Sequence, residues 1–104
     1  MKIRLTVDIE LRMGCGPETG MSLAGYMPDG TTYKDLVWVF GKPRPYAFPC
    51  GKTRVEWPGK INGLEFIIYD YKSPVPPEKN TDWHIAARSE VTAKLVAAYF
   101  RAMR

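Results

Sequence analysis

His84 is the only histidine in the sequence, so any catalytic arrangement that requires an imidazole must be built around it. Cys15 and Cys50 are the only cysteines, and either could act as a nucleophile, but no motif places them beside His84. Two cysteines and one histidine at unrelated spacings do not form a recognisable metal site. We therefore predict a protein that is not an enzyme and needs no metal or cofactor, with a hydrolase or transferase built on His84 as an alternative.

Other catalytic patterns give no stronger signal. Glu56 and Asp70 are a candidate acid–base pair, but they fall on opposite faces of the predicted hairpin described below, which weakens a hydrolase assignment. The sequence contains no GxGxxG or P-loop pattern that would cradle phosphate groups. Binding is therefore the kind of function that we expect.

Length and composition fit a single domain over residues 1–104. The chain is 45% hydrophobic and 25% charged, as folded proteins are, and its net charge of +4 favours phosphate-bearing partners only mildly. No apolar run approaches the roughly 20 residues that cross a bilayer, and no signal peptide is apparent. We expect a cytoplasmic protein with reduced cysteines, although a Cys15–Cys50 disulfide stays an alternative.

Hydrophobic periodicity and turn residues predict an α+β fold. We expect an antiparallel sheet of about four strands that two helices cover on one face. The predicted elements are a long strand at 2–13, a short strand at 22–26, a helix at about 32–40, an irregular proline-rich loop at 42–51, hairpin strands at 52–61 and 64–72, a strand at 82–88 and a helix capped by Ser89.

Asn62-Gly63 sets the register of the hairpin, because this pair favours a two-residue type I′ turn. In that register Glu56 faces Tyr69, Val55 faces Asp70 and Arg54 faces Tyr71. A bulge at Pro58-Gly59, which would shift this register, is the alternative. One face is apolar and would form the core. The other is mixed and carries Arg54, Glu56, Lys60, Glu65, Ile67, Tyr69 and Tyr71. If Trp83 and Ile85 join the core, His84, Ala86 and Arg88 from the next strand extend this second face.

Five residues of this second face could bind an anionic, aromatic ligand. Tyrosine and histidine rings can stack on a nucleotide base, and arginine can pair with phosphate. The candidate ligand-binding residues are Arg54, Tyr69, Tyr71, His84 and Arg88. The alternative is an ordinary exposed sheet face, on which cross-strand pairs serve only stability and solubility.

Four segments together resemble a family of small bacteriophage-encoded proteins of unassigned function. The segments are TTYKDLVWVFGKP at 31–43, TRVEW at 53–57, FIIYDYK at 66–72 and DWHIAARSE at 82–90. The resemblance covers residues 31–100, with Ala86-Ala87 in place of glycines and without the long first strand. It implies an accessory protein in the cytoplasm of a bacterial host. By analogy, such a protein would antagonise host defence by binding a nucleotide immune signal or a defence protein.

Two classes of partner follow from these observations. The first is an anionic nucleotide ligand or a host defence protein, bound by a homo-oligomer, since a long alternating edge strand would aggregate unless covered. The alternative is a nucleic-acid-binding accessory protein. Asp8 and Glu10 interrupt the basic stripe of the first strand, so nucleic acid has weak support, and no membrane partner is expected.

Overall fold

The computed structural model describes residues 4–7, 21–45 and 53–104. In these residues the chain forms an antiparallel sheet and two α-helices, which confirms the α+β class. The strands are β1 (Leu5–Val7), β2 (Ser22–Tyr26), β3 (Arg44–Pro45), β4 (Val55–Ile61), β5 (Leu64–Tyr69) and β6 (His84–Ala87), and the helices are α1 (Tyr33–Phe40) and α2 (Glu90–Met103). Cys15, Cys50 and most of the predicted strand 2–13 lie outside the described residues.

The described strands form one sheet in the order β1-β4-β5-β6-β2, and β3 pairs with β4 on the same side as β1. This makes six strands in the described part of the chain, where we expected about four. The additional short strand is β3, in which Arg44 pairs with Glu56 and Pro45 with Val55. We predicted an irregular loop there because of its prolines. A proline is tolerated in β3 because this strand pairs on one side only among the described residues.

The hairpin register is confirmed. Asn62 and Gly63 have φ angles of 51° and 79°, the positive values that a type I′ turn requires at both positions. The ladder runs without a shift from Ile61 opposite Leu64 to Glu56 opposite Tyr69. Asn62 also exchanges two hydrogen bonds with the backbone of Arg4, of 2.7 and 2.8 Å, and so ties the start of β1 to the turn.

Both helices pack on the same face of the sheet, as predicted. Their buried residues, Leu36 and Phe40 from α1 and Ala93, Val96 and Phe100 from α2, join one core with strand residues that include Trp57, Trp83 and Ile85. The two tryptophan rings meet edge to face at 5.3 Å. Each indole N–H is satisfied, by the Gly41 carbonyl for Trp57 and by the Thr31 and Asn80 carbonyls for Trp83. The buried aromatic residues therefore connect the helices and the sheet without orphaned donors.

The buried stripe of α2 is rotated from the predicted one. The spacing of apolar residues after Ser89 predicts a core-facing stripe that includes Val91 and Met103. These two side chains are 70% and 52% exposed, and the small residues Ala93 and Ala97 are buried instead. The reason is close packing on β2, where a Cβ atom added to Gly25 would lie 2.9 Å from the Cβ atom of Ala93. In the described residues, neither helix combines the length and the apolar content needed to cross a bilayer.

The β4–β5 ladder ends at the Glu56–Tyr69 pair. Beyond this pair, a side chain accepts the backbone hydrogen bonds that the ladder would otherwise provide. The predicted pairing of Val55 with Asp70 and of Arg54 with Tyr71 is absent from the register of these strands. The buried Asp70 carboxylate accepts the backbone N–H groups of Arg54 and Val55 instead, at 2.8 and 3.1 Å. Asp70 thus satisfies two donors that the ladder leaves open.

Replacing Asp70 by alanine is expected to lower the free energy of unfolding by about 3 kcal/mol, because two backbone N–H groups lose a charged, buried acceptor. Asp70→Asn keeps an acceptor oxygen and should lose less than half as much. Asp29→Ala, at an exposed turn residue, is the control and should change stability by less than about 0.5 kcal/mol. Urea denaturation measures all three, and equal midpoints for Asp70→Ala and Asp29→Ala would contradict this role.

Candidate functional site

The second face of the sheet, opposite the helices, is largely buried. Glu56, Ile67 and Ala86 have no exposed surface, and Tyr69 is 4% exposed. Ile67, Tyr69 and Ala86 form a separate hydrophobic cluster with Met21. The centre of this face is therefore not the open, solvent-facing surface that we considered as the alternative to a binding site.

A row of five polar side chains crosses this face. Arg44 lies opposite Glu56, Glu56 opposite Tyr69, Tyr69 opposite His84, and His84 opposite Tyr26. Residues directly opposite one another in neighbouring strands share a face, so the five side chains form a continuous line across β3, β4, β5, β6 and β2. We call this line the polar row. At one end of it Arg44 forms an ion pair with the fully buried Glu56.

At the other end of the polar row, three tyrosines converge on His84. The ring centroids of Tyr26, Tyr69 and Tyr71 lie 5.0, 5.4 and 5.6 Å from the centroid of the His84 ring. Tyr69 and Tyr71 also meet edge to face at 6.3 Å. These separations are typical of aromatic contacts. We call Tyr26, Tyr69, Tyr71 and His84 the aromatic cluster.

The solvent exposure of the side chains in the aromatic cluster increases from the sheet interior outward. Tyr69 is buried and the His84 side chain is 14% exposed, whereas Tyr71 and Tyr26 are 38% and 56% exposed. The two exposed tyrosines therefore flank a histidine that still reaches the surface. Because Tyr69 and Tyr26 lie opposite His84 in the paired strands, the sheet itself fixes the base of the cluster.

Burial, with smaller contributions from the neighbouring Tyr71 and Tyr26, raises the pKa of Tyr69 to about 12. Tyr69 is therefore a neutral phenol at physiological pH and can donate or accept a hydrogen bond. His84 Nε2 lies 3.6 Å from an Asp82 carboxylate oxygen, beyond the normal length of a hydrogen bond, and the Asp82 side chain is 76% exposed. The ammonium group of Lys72 lies 5.5 Å from the centroid of the Tyr71 ring. The cluster thus combines a buried phenol with partly exposed aromatic rings, and it has a cation at its rim.

The structure brings together three of the five predicted ligand-binding residues, Tyr69, Tyr71 and His84. Arg88 follows the far end of β6, about 13 Å along the strand from His84, and it pairs with Glu65 at 3.1 Å. Arg54 donates from its guanidinium to the Val75 carbonyl at 2.9 Å. The two arginines are thus committed to contacts outside the aromatic cluster.

Tyr26 is the residue of the cluster that the sequence analysis did not identify. The short strand at 22–26 was predicted, but nothing in the local pattern indicates that it pairs with β6 and places Tyr26 opposite His84. A cross-strand partner can be inferred only when two strands are joined by a tight turn, and β2 and β6 are far apart in the chain. Tyr26 was therefore beyond the reach of the local signals.

The arrangement can bind a planar ring and hold polar groups beside it. Tyr71 and Tyr26 each expose part of a ring on which a base could stack, His84 offers ring nitrogens, and Lys72 offers positive charge. Among the described residues, no group of three or more histidine, cysteine, aspartate or glutamate side chains is arranged to hold a metal ion.

Comparison with known proteins finds no family model, no curated protein and no solved structure that matches this chain.

The raised pKa of Tyr69 predicts a loss of stability at high pH. Between pH 10.0 and about pH 12 the unfolded chain releases the Tyr69 proton while the folded chain retains it. The unfolded state then binds fewer protons, so the free energy of unfolding falls as pH rises through this interval. Urea denaturation across that range should show a shallower fall for Tyr69→Phe than for the wild type. Identical pH dependence of the two proteins would contradict a buried, protonated Tyr69.

Proposed function

We propose that this chain is a non-enzymatic binding protein that holds an anionic nucleotide at the aromatic cluster and antagonises bacterial host defence by sequestering a nucleotide immune signal. The observation that carries the proposal is the convergence of Tyr26, Tyr69 and Tyr71 on His84, with two of the tyrosines partly exposed. A nucleotide offers both a flat base and a negative charge, and the cluster offers a partner for each.

The rims of the cluster support stacking of a base. Tyrosine side chains lose little conformational entropy on binding, and each stacked base contributes about 1–3 kcal/mol in comparable protein sites. The Tyr71 ring is tilted by 32° from the His84 ring, so the two present neighbouring planar surfaces. Lys72, beside Tyr71, supplies a cation for a phosphate group.

The chemistry of the cluster supports binding over catalysis. Tyr69 holds its proton far above neutral pH, which makes it a poor nucleophile or general base. The neighbouring carboxylate of His84, from Asp82, is exposed and 3.6 Å away, whereas a catalytic histidine is usually oriented by a buried and closely bonded carboxylate.

The defence-related part of the proposal comes from the resemblance to small phage-encoded proteins carried by residues 31–100. Tyr69, Tyr71 and His84 all fall in the two segments of that resemblance at 66–72 and 82–90. A defence protein or a nucleic acid as the partner would give different results in the experiment below.

Native mass spectrometry of the protein purified from bacteria that produce defence nucleotides is expected to retain a small anionic ligand. Titration calorimetry with AMP, GMP and cyclic purine dinucleotides then measures affinity. Tyr71→Ala and His84→Ala should each weaken binding roughly tenfold or more, because each removes a ring of the cluster. Tyr71→Phe keeps the ring and should stay within a few-fold of the wild type.

Two control variants separate the cluster from general surface effects. Trp38→Ala removes an aromatic side chain that is 80% exposed on α1, and Arg88→Ala removes a cation at the far end of β6. Both should bind as the wild type does. A folded wild type that binds none of these nucleotides would overturn the proposal and turn attention to a defence protein. Binding of oligonucleotides that weakens steeply with salt would favour nucleic acid instead.

A further inference from the structure

Strand β2 forms one edge of the described sheet, and its sequence is unusual for an exposed edge. In the described order β2 pairs with β6 alone, and its five residues, SLAGY, contain no charge and no proline. Leu23 is 48% exposed and Tyr26 is 56% exposed. Edge strands of monomeric proteins usually carry charged residues or proline that discourage pairing with another chain. Only the bulge between Leu23 and Gly25 provides such a feature within β2.

The backbone of β2 offers hydrogen-bonding groups toward that edge. The Met27 N–H donates to the Trp83 carbonyl at 3.0 Å, so Met27 faces β6. Backbone groups of successive residues alternate in direction along a strand, and the N–H and C=O of Tyr26 therefore point away from β6. The bulge limits any additional pairing to a few residues, so a partner must also find contacts outside the strand.

Helix α2 supplies those contacts beside β2. Strand β2 and helix α2 are in close contact at Gly25 and Ala93, and an open groove of about 250 Å³ lies beside this contact, lined in part by Ala24, Gly25, Ala93 and Ala97. The small lining residues leave room in the groove for side chains of another chain. Three charged residues, Glu90, Lys94 and Arg101, also line this groove from the helix.

The charges on this side of α2 would complement those of a second copy of the helix that runs in the opposite direction. Their spacing of four and then seven residues places Glu90, Lys94 and Arg101 on one stripe of the helix. The negative charge is at the first turn and the positive charge of Arg101 is in the last turn. If two copies of the stripe lie antiparallel about their midpoint, Glu90 faces the partner's Arg101 twice, and Lys94 faces the small side chain of the partner's Ala97.

We propose that a second copy of this chain pairs with β2 and α2 about a twofold axis, with β2 beside β2 and the two α2 helices antiparallel. A twofold interface uses the same surface on both copies, so it requires the self-complementary charges that this stripe provides. An anionic small molecule fits the groove less well because Glu90 stands at one end of it. The dimer would also cover the unpaired edge of the described sheet.

Charge reversal tests this interface sharply, with sedimentation velocity as the measurement. Wild type is expected to sediment as a dimer. Glu90→Arg and Arg101→Glu each place like charges opposite one another at both ends of the stripe and should weaken dimerisation at least about tenfold. An equimolar mixture of the two single variants restores both opposite-charge pairs and should form heterodimers, as the double variant Glu90→Arg/Arg101→Glu should form homodimers.

Lys34→Glu, an exposed charge reversal on α1, is the control and should leave the dimer intact. Circular dichroism confirms that each variant is folded, and recovery on mixing excludes misfolding as the cause of dissociation. A monomeric wild type, single variants that remain dimeric, or a mixture that stays monomeric would each overturn the interface. A monomer that still binds nucleotide would overturn the interface and leave the aromatic cluster as the ligand site.

Discussion

Asn62 and Gly63 set the register of the β4–β5 hairpin, and the faces of the whole sheet depend on that register. Both residues adopt positive φ, and the ladder follows from the turn without a shift. A slip of one residue would reverse one of the two strands: either Trp57 would leave the core and Glu56 would enter it, or Phe66 would leave the core and Tyr69 would enter it. The exchange of hydrogen bonds between Asn62 and Arg4 extends the same constraint to β1. The two-residue turn thus places Glu56 opposite Tyr69 in the middle of the polar row.

The two faces of the sheet bury different kinds of side chain. The face under the helices is filled by aromatic and aliphatic side chains whose burial drives folding. The second face buries Glu56 and Tyr69, which brings a cost in desolvation that apolar residues would avoid. An ion pair such as Arg44–Glu56 compensates that cost without adding much net stability.

Local signals in the sequence were sufficient for both helices, for the hairpin and for the strands at 22–26 and 82–88, but not for β3, where the prolines predicted a loop. The capping box of Thr32 and Asp35, the Ser89 cap and the Asn62-Gly63 turn each have a short-range physical cause, and all three are present in the structure. From this register, Tyr69 and His84 could be assigned to one face before the structure was known. Long-range contacts could not be predicted from the sequence. Examples are the pairing of β2 with β6, which brings Tyr26 to His84, and the close approach of Gly25 to Ala93, which rotates α2. Arg88 lies on the second face but outside the aromatic cluster. The alternation of side chains in a strand shows which face a residue occupies, but not how close it lies to a site along the strand.

The most direct test of the central claim uses the fact that His84 is the only histidine. Its imidazole signals can be assigned in an NMR spectrum without ambiguity, and they report on the aromatic cluster alone. Nuclear Overhauser contacts are expected from the His84 ring to the rings of Tyr26, Tyr69 and Tyr71. The His84 signals should also shift, and the shift should saturate, as a nucleotide that binds the protein is added. Nucleotide binding that leaves the His84 signals unchanged, or a His84 ring without contacts to these tyrosines, would contradict the central claim.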